Sequence, residues 1–132
     1  MTRTNAMLLC ALLGITACGA ARIPESLRGY DILVENRDPQ GAELARAMRE
    51  QGFRVRRSVR GGSRPTAALI FFTFRETGPA ESLRLHLRLA DTRSGAVVGA
   101  AMIPLDSVGP TPRARADAAV RALVANPVPT PP

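Results

Sequence analysis

The chain of 132 residues has no lysine and no tryptophan, one histidine and two cysteines. Each scarcity excludes a kind of chemistry. With His86 as the single imidazole and Cys18 as the one cysteine outside the apolar N-terminal run, the four nitrogen and sulfur ligands of a structural zinc site cannot be assembled. A histidine-dependent triad needs a serine aimed at His86 and an acid behind it. No Gly-x-Ser-x-Gly occurs, and His86 reads as a surface residue on an alternating strand. Gly61-Gly62 is not a phosphate loop, because no Gly-Lys-Ser/Thr follows it. The acids Glu76, Glu81, Asp91 and Asp106 fall in turns, where such residues form turns or are solvated. The five aromatics, Tyr30, Phe53, Phe71, Phe72 and Phe74, do not interleave with a basic segment, so no base-stacking surface and no nucleic-acid partner are expected. No catalytic residue, no metal ligand and no cofactor follow from these residues.

All 18 basic side chains are arginine, and the net charge is +7. Coding bias explains the missing lysine better than function does. The chemistry differs all the same, since a guanidinium binds phosphate or carboxylate as a rigid fork and an ammonium does not.

The N-terminus is the most informative stretch. Met7–Ile15 is an apolar run behind Arg3, too short to span a bilayer and followed by small residues, which is the pattern of a cleavable secretory signal. Its ending, Ile15-Thr16-Ala17-Cys18, resembles the bacterial lipobox. The resemblance implies cleavage before Cys18, acyl chains on the new N-terminal Cys18, and anchoring in a membrane. The alternative is an ordinary signal peptide followed by a chance cysteine. Loss of residues 1–17 removes one arginine, leaving 17 basic against 11 acidic side chains, a net of +6. The mature part then holds no thiol for a disulfide, so its core alone must hold it together. Its length suits a single domain.

The expected organisation is a signal peptide at 1–17, a tether at 18–29, one domain at 30–126 and a Pro-rich disordered tail at 127–132. Tyr30–Asn36 reads as a strand. Asp38-Pro39 supplies an N-cap and a first-turn proline for a helix reaching about Gln51, with Leu44, Ala47, Met48 and Gln51 on one stripe. Gly52 suits a left-handed C-cap with Phe53 packing back. Phe53–Arg56 alternates as a short half-buried strand. Ala67–Phe74 is the most apolar mature segment and reads as a central strand covered on both faces. Ser82–Leu89 alternates strictly, placing Leu83, Leu85, Leu87 and Leu89 on the core and Arg84, His86 and Arg88 opposite. Asp91–Gly95 is a hairpin loop, and Ala96–Ile103 is the return strand. Thr111-Pro112 caps a helix over Arg113–Ala125, with Ala116, Ala119, Val120, Leu123 and Val124 inward. The predicted fold is an α+β two-layer sandwich: strand, helix, three or four antiparallel strands, helix, with both helices on one face of the sheet.

Arg54 and Arg56 project from one side of their strand, and Arg84 and Arg88 from one side of theirs. Neighbouring strands would merge them into a stripe away from the helices, able to bind an anionic polymer through bidentate contacts. A solvated outer sheet face is the competing reading.

The lipobox, the strand leading into Asn36-Arg37-Asp38-Pro39-Gln40-Gly41, the helix Ala42–Gln51 and Gly52-Phe53-Arg54-Val55 together resemble the outer-membrane lipopolysaccharide-assembly lipoproteins (LptE-type). The resemblance implies a non-enzymatic, periplasm-facing outer-membrane lipoprotein that plugs and assists a large β-barrel and contacts lipopolysaccharide through surface arginines. Gly19 is not the Asp that favours inner-membrane retention. The chain is short for that family between Phe74 and Leu83. An accessory or activator of a cell-wall synthase, or of another envelope complex, is the alternative of a different class.

Overall fold

The computed structural model describes residues 22–59, 61–79 and 81–126. The expected signal segment 1–17, Cys18 and the expected tail 127–132 lie outside the described residues. The elements run α1 (Glu25–Arg28), β1 (Asp31–Leu33), α2 (Pro39–Glu50), β2 (Arg54–Arg56), β3 (Thr66–Glu76), β4 (Ser82–Asp91), β5 (Val97–Pro104) and α3 (Pro112–Ala125). The five strands form one mixed sheet in the order β2-β1-β3-β4-β5.

The local signals explain the helices. Asp38 accepts from the Gly41 amide at 2.6 Å, and Thr111 accepts from the Ala114 amide at 3.2 Å, each ahead of a first-turn proline. Gly52 ends α2 at φ +94°, the left-handed conformation that favours glycine. α2 and α3 both pack on the same side of the sheet. Leu44 and Met48 of α2, Val120 and Leu123 of α3, and Ile32, Leu85, Leu87 and Leu89 of the sheet share one core. Arg46 ties the two helices together, donating to Glu43 and Glu50 on its own helix and to Asp117 of α3 at 2.9 Å. These bonds to Glu50, Glu43 and Asp117 hold its guanidinium more firmly protonated than usual.

The sheet corrects the antiparallel expectation. β1 lies between β2 and β3 and is parallel to both, with Ile32 opposite Val55 on one side and Ala67 on the other. The crossover through α2 returns the chain to the end it started from, so β2 must run parallel to β1. The connection over 57–65 does the same for β3. Only β3, β4 and β5 form the antiparallel meander.

The tether expectation also changes. Residues 18–29 were expected to be free of the fold, yet α1 lies within them, and Leu27 is 1% exposed in the main core. Its Cδ1 lies against the position a Cβ would take at Gly99 of β5. The domain therefore begins at or before Ile23, which packs against the same core.

Candidate functional site

The pleat sends alternate side chains of each strand to the face away from the helices. The register fixes which of them meet there. On β3 and β4, Ile70 is opposite Arg88, Phe72 opposite His86 and Phe74 opposite Arg84. On β5, Ala100 is opposite Arg88, Met102 opposite His86 and Pro104 opposite Arg84. This row corrects the reading of β3 as covered on both faces. β3 is the middle strand, but nothing among the described residues covers its outer side. Ile70 and Met102 are each 49% exposed and Phe72 is 43% exposed. An exposed apolar cluster on a sheet face is a recognised mark of an interaction site.

His86 is set among these groups. Its ring centroid is 5.0 Å from that of Phe72 and 6.2 Å from that of Phe74. Arg88 Nε donates to His86 Nε2 at 3.4 Å. Partial burial, and then the charge of Arg88, push the imidazole below its ordinary pKa, so it sits as a neutral acceptor at neutral pH. His86 is thus a semi-buried member of the apolar cluster, and no acid or serine contacts it among the described residues.

The arginines do not form the expected stripe. Arg54 and Arg56 share the outer face with Arg84 and Arg88, but β1 and β3 separate the two pairs. Three strand spacings amount to about 14 Å. Leu33, Ala68, Ile70 and Phe72 occupy the gap, so the face is an apolar centre with arginines at its margins. Two of the four are engaged. Arg56 Nε is 2.5 Å from Asp31 Oδ2, and Arg84 Nε is 2.8 Å from Glu76 Oε2. Arg54 and Arg88 have no acidic partner among the described residues.

The sequence reading passed over Asp31. It is 3% exposed, the one buried charged side chain among the described residues, and it holds Arg56 and Arg64 (Nε–Oδ1 3.2 Å) at the margin of β1. No local pattern marks it, because its partners come from two other segments. A second long-range contact also escaped notice: Tyr30 donates to Asp91 at 2.8 Å. The Asp91 carboxylate also accepts from the amides of Arg93 and Ser94, and these bonds, that from Tyr30 foremost, hold it below the usual carboxylate range. It therefore acts as the turn former expected of it.

No group of three or more His, Cys, Asp or Glu side chains that could hold a metal ion occurs among the described residues. No helix among them is long and apolar enough to cross a membrane. No family model matches the chain, and no curated protein and no solved structure does so at a significant level.

Proposed function

We propose that the chain is a non-enzymatic, lipid-anchored lipoprotein of the outer membrane that faces the periplasm and assists lipopolysaccharide assembly as the partner of a β-barrel. The observation that supports this reading is the open sheet face, with Ile70, Phe72 and Met102 exposed at its centre and Arg54 and Arg88 at its margins. Such a face can meet a surface or ligand that is itself apolar in the middle and anionic at the rim. The lipobox at Ile15–Cys18 supplies the anchor in this reading.

A second reading, accessory or activator of a cell-wall synthase, draws on a different observation. Arg56 and Arg84 are already paired with acids, which leaves less free cationic charge for a phosphorylated glycolipid and more of a face suited to protein docking. The tagged, processed protein, recovered from outer-membrane extract in mild detergent, separates the two. A stoichiometric large β-barrel, lost in a Phe72→Ser/Arg88→Gln variant that still folds, is the expected result. A synthase at that stoichiometry favours the second reading, and no stoichiometric companion overturns both. Cys18→Ala should leave an unprocessed precursor, and normal processing of that variant would remove the anchor from the proposal.

A further inference from the structure

The three parallel strands all begin at one end of the sheet, and arginines collect there. Arg28 closes α1, Arg54 opens β2, and Arg64 lies two residues before β3. Between them is a cleft of about 300 Å³, walled on its apolar side by Ile23, Leu27 and Phe53. No acidic side chain lines it.

The three guanidiniums are held to different degrees. Arg64 is positioned from behind: its Nε donates to Asp31 Oδ1 at 3.2 Å and its Nη2 to the Arg28 carbonyl at 3.1 Å. Asp31 is shared with Arg56, so one carboxylate faces two arginines and the local charge stays positive. Arg28 spends one N–H on the Ile23 carbonyl, at 3.4 Å. The Arg54 guanidinium makes no hydrogen bond or ion pair among the described residues. Free forks of this kind converge on phosphate oxygens through paired, charge-assisted hydrogen bonds. A cleft of this volume, open to solvent on one side, admits a phosphate group.

Its place in the chain gives the source of that phosphate. Cys18 and Ile23 are five residues apart, a span of at most about 18 Å at full extension. With acyl chains on Cys18, Ile23 and the cleft it lines are held near the headgroups of the same leaflet. We propose that the cleft lined by Arg28, Arg54 and Arg64 takes the phosphate of an anionic phospholipid headgroup in the leaflet that holds the anchor. This inference rests on the lipid-anchor reading above and adds to it a second contact, which fixes how the domain stands on the membrane. Arg88, on β4, is not part of this site and stays free for the partner.

The test uses the processed protein in neutral detergent, titrated with short-chain phosphatidylglycerol and read through the amide resonances of Gly52, Phe53 and Arg54. We expect saturable shifts that short-chain phosphatidylcholine does not produce. Arg28→Gln/Arg54→Gln should weaken the affinity at least about tenfold, through the loss of hydrogen bonds to a charged group, while Arg84→Gln leaves it unchanged. Arg28 and Arg54 are exposed and hold no acid, so the double variant should melt with the parent. An equal response to phosphatidylcholine, or unchanged affinity in the double variant, overturns the site. Inorganic phosphate that saturates the same resonances at the same concentration overturns the lipid as its source. The intact mass of the protein reports acylation separately. A mass without acyl chains refutes the anchor reading by itself, and the titration still decides the cleft.

Discussion

Replacing Gly41 by alanine should destabilise the domain, against the usual trend. In a helix interior, alanine is favoured over glycine by about 1 kcal/mol. The packing of α2 reverses the sign. A Cβ at position 41 would lie 2.6 Å from the backbone oxygen of Asn36 and 3.1 Å from its carbonyl carbon. Even a favourable carbon–oxygen contact is about 3.3–3.6 Å, so the backbone near Asn36 must withdraw. That segment runs directly into Asp38, whose carboxylate caps the Gly41 amide at 2.6 Å. Overpacking of this kind costs about 1–3 kcal/mol, and a weakened cap adds up to about 1 kcal/mol. Set against the propensity gain, the expected net loss ranges up to about 3 kcal/mol. For a domain of this size each kcal/mol lowers the melting temperature by about 5 °C. Ala42 is the control, because it is exposed and its replacement by glycine costs about 1 kcal/mol through propensity alone. Urea denaturation of Gly41→Ala and Ala42→Gly should therefore show both variants less stable than the parent. A Gly41→Ala protein more stable than the parent would refute the close approach of α2 to Asn36.

Three further outcomes follow from the core and the open face. Leu85 is 1% exposed. Leu85→Asp gives up about 2–5 kcal/mol of packing and buries an unpaired carboxylate against a total stability of about 5–15 kcal/mol, so circular dichroism should report an unfolded chain, and a folded one would mean the faces of β4 are reversed. Asp31→Ala should cost about 1–3 kcal/mol in denaturant. That is less than the 3–5 kcal/mol of a fully buried pair, because the Arg56 and Arg64 side chains keep 46% and 37% of their exposure and rehydrate. A change below about 0.5 kcal/mol, the size of an ordinary surface substitution, would show that the cluster does not hold β1. The folded pKa of His86 lies below its unfolded value, so the unfolded chain binds the proton more readily. Its contribution to stability is complete above about pH 6.5 and falls as the pH drops through that value toward the folded pKa. With no other histidine in the chain, His86→Gln should flatten the stability profile between neutral pH and the carboxylate range, and an unchanged slope would place the imidazole in bulk solvent.

Much of this fold was legible because its signals are local. Asp38-Pro39, Thr111-Pro112, Gly52 and Gly95 each satisfy a backbone requirement within a few residues, and all four stand where their chemistry asks. The leucines of 83–89 sort to one face for the same reason. Alternation, however, states which side chains share a face and not which strand lies alongside or in which direction. The parallel pairing of β1 with β3 is decided by the crossover and by the two faces of Ile32 and Leu33, which no window around either strand contains. α1 escaped because four residues are too few for a period, and one buried leucine is all it contributes. The candidate site divides in the same way. That Arg54, Arg56, Arg84 and Arg88 share a face is readable from the pleat. That two strands and an apolar gap part them follows only from the strand order. The run 67–74 misled because an unbroken apolar strand usually has two covered faces, and here Ile70 and Phe72 are left open.

The place of β1 between β2 and β3 bears on the order in which the molecule is completed. A chain that is made or threaded N-terminus first presents β1, α2 and β2 early, and these can pair among themselves. The second edge of β1 stays unpaired until Thr66–Ala68 arrive, more than thirty residues later. By contrast, β3, β4 and β5 close through short turns and need only their own neighbourhood. The half that emerges first thus waits on a strand of the half that follows, and in that interval the exposed backbone of β1 is open to whatever strand it meets.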